Sequence, residues 1–123
     1  MKVLVIDDDG QMRALLRQMI ERVGGEVLEA VDGREGMNMA RQHPVDLVIT
    51  DLIMPEQEGL ETIHLLKQEN PALKIIAISG GGRIGPEAYL PAAKELGADC
   101  VFSKPFEIKE VTDKIRELFN YGV

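Results

Sequence analysis

Val3-Leu4-Val5-Ile6-Asp7-Asp8-Asp9 runs from four aliphatic residues straight into three carboxylates, and Leu47-Val48-Ile49-Thr50-Asp51 repeats the pattern. Two later runs end on other polar groups: Ile75-Ile76-Ala77-Ile78 stops at Ser79, and Val101-Phe102-Ser103 stops at Lys104-Pro105. Short apolar runs with polar ends read as strands buried on both faces. If they are parallel neighbours, their ends gather at one edge of one sheet. That edge collects three or four carboxylates, a hydroxyl and an ammonium, a set suited to a divalent cation and a phosphoryl group.

The segments between these runs carry helical spacing. Met12, Leu15, Leu16, Met19, Ile20 and Val23 share one face of a first helix, which Gly24-Gly25 ends. Val27–Ala30, flanked by glutamates, predicts a short edge strand. Asp32 stands three residues before Glu35, a capping-box spacing, and opens a helix to about Gln42, before His43-Pro44. A strand over Asp46–Thr50 follows, then a loop through Met54-Pro55 and a helix carrying Leu60, Ile63 and Leu66, which Asn70-Pro71 stops. A strand over Ile75–Ile78 leads to the glycine-rich segment 80–86. A fourth helix is predicted over about Glu87 to Leu96, closed by Gly97, then a strand over Cys100–Ser103. Ile108, Val111, Ile115, Leu118 and Phe119 mark the face of a last helix. Five β-α units in strict alternation predict a parallel sheet covered by helices on both faces. Right-handed crossovers put the first strand inside the sheet, with the winding reversing beside it. Ligands of such sheets bind at the carboxyl ends of the strands at that reversal.

The bulk numbers fit one domain over residues 1–123, with an aliphatic core because Trp is absent and aromatic residues are few. A net charge of −7 argues against nonspecific binding to nucleic acid or an anionic membrane. No apolar run approaches the roughly 18–20 residues of a membrane-spanning helix, and no signal peptide is visible. The single Cys100 fits a reducing cytoplasm and reads as a small core residue, not a nucleophile. His43 and His64 lack metal-ligand spacing.

At the predicted edge, each like-charge carboxylate pair costs about 1 kcal/mol at 4 Å in water and several-fold more in a partly buried cleft. Such a cluster calls for a cation or protons, and carboxylate and carbonyl oxygens with water suit Mg²⁺. Lys104 adds a positive charge. The Ser79 hydroxyl and the backbone N–H groups around Gly80 offer donors to phosphate oxygens. One carboxylate could attack phosphorus and form an acyl phosphate. Asp9 reads instead as the start of the first helix.

The set Asp7-Asp8, Asp51, Met54-Pro55, Ser79 and Lys104-Pro105-Phe106 resembles the receiver domain of two-component response regulators, in order and spacing, over the whole chain. The resemblance implies a flavodoxin-like sheet of order 2-1-3-4-5. It implies that Asp51 accepts a phosphoryl group from a sensor histidine kinase or a histidine phosphotransfer protein. It makes Asp8, Asp51 and the backbone carbonyl of Ile53 ligands of Mg²⁺, with Asp7 acting through water. Ser79, Gly80 and Lys104 contact the phosphoryl group or switch with it, and Lys104–Pro105 is expected to be cis. The output surface is the fourth helix, fifth strand and fifth helix. Three departures stand out. Val101 occupies the position of the switch aromatic, so ring rotation coupled to Ser79 cannot work in its usual form, and Phe102 should face the other side of its strand. Pro91 falls inside the predicted fourth helix and should kink or shorten it. Apolar Ile53 implies slow self-dephosphorylation. The competing reading is an Mg²⁺-dependent phosphohydrolase with an aspartyl nucleophile, which usually carries a second Asp where this chain has Ile53.

Overall fold

The computed structural model describes residues 1–52, 58–79 and 90–119. Its elements alternate throughout: β1 (Lys2–Ile6), α1 (Gly10–Arg22), β2 (Glu26–Ala30), α2 (Gly33–Gln42), β3 (Leu47–Asp51), α3 (Glu58–Glu69), β4 (Lys74–Ser79), α4 (Leu90–Leu96), β5 (Cys100–Ser103) and α5 (Ile108–Leu118). The strands form one parallel sheet in the order β2-β1-β3-β4-β5. β2 is an edge strand, as its flanking glutamates suggest, and β1 lies inside.

Period-2 alternation splits the core between the two faces of the sheet. Leu4, Ile6, Val48, Ile75 and Ala77 meet Met37, Ile63, Leu66 and Ala93 beneath α2, α3 and α4. Val3, Val5, Leu47, Ile49, Ile76 and Ile78 meet Leu16, Met19, Ile20, Val111 and Ile115 beneath α1 and α5. Each such Val, Leu, Ile or Met side chain contributes about 1.5–3 kcal/mol by leaving water, and every residue of β3 is buried. Val101 packs toward the first cluster and Phe102 toward the second, so they face opposite ways. Cys100 is only half-buried against the second cluster, less enclosed than a core residue. Burial pushes its thiol pKa up, which disfavours the nucleophilic thiolate.

Local chemistry sets the helix ends. Asp9 caps α1 by accepting the Gln11 N–H at 2.9 Å, and Asp32 caps α2 by accepting the Glu35 N–H at 2.8 Å. α1 and α4 end on positive-φ glycines, Gly24 at 87° and Gly97 at 120°. In both, paired backbone bonds close the last turn: Gly24 N–H to Glu21 with Gly25 N–H to Ile20, and Gly97 N–H to Lys94 with Ala98 N–H to Ala93. Pro91 lies in the first turn of the described α4; the expected start at Glu87 lies outside the described residues.

Several strand boundaries differ from the sequence reading by one residue. β3 starts at Leu47, not Asp46, and ends at Asp51, not Thr50. The reason is pairing: Asp51 is the ladder partner of Ile78, and the following Leu52 N–H bonds the Ile78 carbonyl at 2.9 Å. β4 correspondingly extends over Lys74–Ser79. Asp46 instead ties the amino edge of the sheet, its carboxylate accepting the Lys2 N–H at 2.8 Å. Asp99 does the same for the Ile75 N–H at 2.8 Å.

Candidate functional site

Three strand ends converge at the carboxyl edge. Asp7 and Asp8 follow β1, and Asp51 ends β3 beside it. Oxygens of the three carboxylates lie within 4.8 Å of one another, with Asp7 and Asp51 buried and Asp8 exposed. Lys104, after β5, sends its ammonium to within 3.4 Å of Asp51 Oδ2 and 3.7 Å of Asp7 Oδ2. The Lys104 N–H donates to the Ser79 carbonyl at 2.8 Å, which ties the end of β5 to the end of β4. Lys104–Pro105 is cis.

Asp7 is held in a buried, crowded setting. It is 2% exposed, and its pKa is pushed up to about 6. Burial is the main cause; the Asp51 and Asp8 charges add to it, while the Asp9 N–H, donated to Asp7 Oδ1 at 2.9 Å, and the Lys104 ammonium oppose it. The Ser79 side chain is fully buried, and its Oγ has no hydrogen-bond partner among the described residues. An unsatisfied buried hydroxyl costs about 1–3 kcal/mol. Clustered carboxylates and an unpartnered hydroxyl at one edge fit a hard cation and an oxyanion.

The structure thus brings together Asp7, Asp8, Asp51 and Lys104, with Ser79 at the next strand end. Ile53, Met54, Pro55 and Gly80 lie outside the described residues. Pro105 is exposed, and Phe106 packs against the α1–α5 core. Two residues that the sequence did not single out belong to the site. Arg13 of α1 donates from Nη1 to the Asp7 carbonyl at 2.8 Å. Gly59, second in α3, lies so close to β3 that a Cβ there would sit 2.5 Å from the Asp51 carbonyl oxygen and 2.6 Å from Leu52 Cα. A glycine inside a helical pattern was the available signal for the second; nothing local marks the first.

The family model described as "Response regulator receiver domain" matches residues 3–116. The chain belongs to that family. Among curated relatives, the receiver resembles the transcriptional regulatory protein CpxR of Escherichia coli K12, 31% identical over 95% of this chain and 48% of that protein. It also resembles sporulation initiation phosphotransferase F of Bacillus subtilis, 28% identical over 94% of this chain and 91% of that one. The receiver spans about half the length of several relatives, 48% for CpxR. Among solved structures, a Clostridium thermocellum response regulator receiver domain protein superposes with a TM-score of 0.84 at 30% identity, covering 97% of this chain and 94% of that one. A CheY-like receiver domain protein of Methanospirillum hungatei gives 0.86 at 26%, covering 98% and 94%. The chain is therefore a receiver of two-component signalling, with an acidic cluster compatible with a divalent metal. No described helix is long and apolar enough to cross a membrane.

Proposed function

We propose that residues 1–123 form one receiver domain, acting in the cytoplasm as a phosphorylation-controlled switch with Asp51 as phospho-acceptor. The observation that carries this reading is the placement of Asp51 at the strand end, with two carboxylates within 4.8 Å and the Lys104 ammonium at 3.4 Å. An Asp51 carboxylate oxygen attacks the phosphorus of a phosphohistidine on a sensor kinase or phosphotransfer protein. The P–N bond breaks, the imidazole leaves, and an acyl phosphate remains. Asp8, Asp51 and the Ile53 carbonyl, with Asp7 acting through water, would hold Mg²⁺, which when bound would neutralise charge on the transferring group. Lys104 pairs with the phosphoryl oxygens, and the Ser79 hydroxyl donates to one of them, gaining the partner it lacks among the described residues. Gly80, which follows Ser79 in the sequence, is the candidate for a further N–H donor to the phosphoryl group. The resulting shift is read on α4, β5 and α5 by a protein partner, without direct nucleic-acid or membrane contact by these residues. With Val101 at the switch position there is no ring to rotate, and the Lys104 N–H to Ser79 carbonyl bond at 2.8 Å is a direct link between the two strand ends.

Intact mass after incubation with a small-molecule phosphodonor tests the reading. One phosphoryl group should be added to the wild type with Mg²⁺, and none with EDTA or in Asp51→Asn. Addition that persists in Asp51→Asn would refute the assignment.

A further inference from the structure

The backbone of Asp7 is held on one side by the edge strand and on the other by α1. Its N–H donates to the Ala30 carbonyl at the end of β2, at 3.1 Å. Its carbonyl accepts the Arg13 Nη1 at 2.8 Å. Arg13 is itself fixed to β2: its Nε meets Glu29 Oε1 at 3.0 Å. Glu29 Oε2 accepts from Arg17 Nε at 2.7 Å, so each oxygen of the carboxylate is held by a different guanidinium group. Arg13 is 20% and Glu29 30% exposed, so the pair is partly screened from water. A guanidinium fork can serve two acceptors in a fixed geometry, which an ammonium cannot.

We infer that Arg13, locked to β2 through Glu29, is a positioning residue that sets the main chain at Asp7 and so the aim of its carboxylate toward the cation. Arg17 shares Glu29 but, among the described residues, bonds Val27 and Glu21 and not Asp7, which supplies an internal control. The inference rests on the proposed Mg²⁺ site. Charge alone makes the opposite forecast: removing a cation beside Asp7 should draw a dication more strongly. Positioning requires that removal weaken it, because groups that orient metal ligands typically change affinity by about 10–100-fold.

The test is Mg²⁺ binding by calorimetry to the full chain at one pH, for wild type, Arg13→Ala, Arg13→Lys and Arg17→Ala, with a urea melt of each. Arg13→Ala should raise the Mg²⁺ Kd about tenfold, Arg13→Lys should raise it by more than twofold, and Arg17→Ala should stay within twofold of wild type. Unchanged or tighter binding in Arg13→Ala overturns the inference, as does an equal loss in Arg17→Ala. If Arg13→Ala does not fold, Arg13→Lys decides: a Kd within twofold of wild type overturns the inference. A wild type that binds no Mg²⁺ overturns the metal site itself, and the inference with it.

Discussion

The Asp7 carboxylate is buried, and its pKa of about 6 stands above the ordinary aspartate value of 3.8. The folded chain therefore holds this proton more tightly than the unfolded chain does. Where the native state binds the extra proton, stability falls as pH rises. The contribution of Asp7 is thus most favourable below about pH 4 and is lost by about pH 6. Two pKa units correspond to about 3 kcal/mol. Metal-free Asp7→Asn should accordingly be more stable than wild type at pH 7.5, by about 1–3 kcal/mol in urea melts. Equal or lower stability would count against repulsion and burial as the load on this residue. Mg²⁺ competes with the same proton, so wild-type affinity should climb by up to about tenfold per pH unit below 6 and level off above it. A flat calorimetric profile from pH 5 to 7 would remove Asp7 from the site.

At the scale of elements, the meeting of α3 with β3 depends on Gly59. Glycine costs a helix about 1 kcal/mol relative to alanine, yet alanine here would push its methyl into the Asp51 and Leu52 backbone. Gly59→Ala should lower stability by about 1–3 kcal/mol and slow phosphoryl uptake by moving Asp51, the proposed acceptor. A melt and an uptake rate both matching wild type would show that α3 can shift freely. Gly59 and Arg13 also mark where sequence reading stops. The caps at Asp9 and Asp32, the edge character of β2 and the opposed faces of Val101 and Phe102 depend on near neighbours or on the two-residue period, and the sequence carries them. The end of β3 at Asp51 depends on Ile78, a partner on another strand. The grip of Arg13 on Asp7 depends on Glu29 of β2, and the crowding at Gly59 on the close approach of a helix. Such facts exist only after the sheet has assembled. The carboxylates, Ser79 and Lys104-Pro105 were legible because each ends its own apolar run.

Across the whole molecule, β1, β3 and β4 are paired on both sides and buried on both faces, whereas β2 and β5 have one neighbour each and half-buried side chains. Amide exchange should be slowest in the three central strands, opening only with global unfolding, and faster in β2 and β5. Equal protection in β5 and β3 would show that the sheet opens as a single unit from edge to edge. The two ends of this sheet use aspartate in contrary ways. Asp46 and Asp99 at the amino edge answer strand N–H groups, while Asp7, Asp8 and Asp51 at the carboxyl edge crowd one another. A laboratory selection for heat resistance alone would spare the first pair and drift toward asparagine at Asp7. On the proposed reading, the survivors would be sturdier proteins that had gone silent.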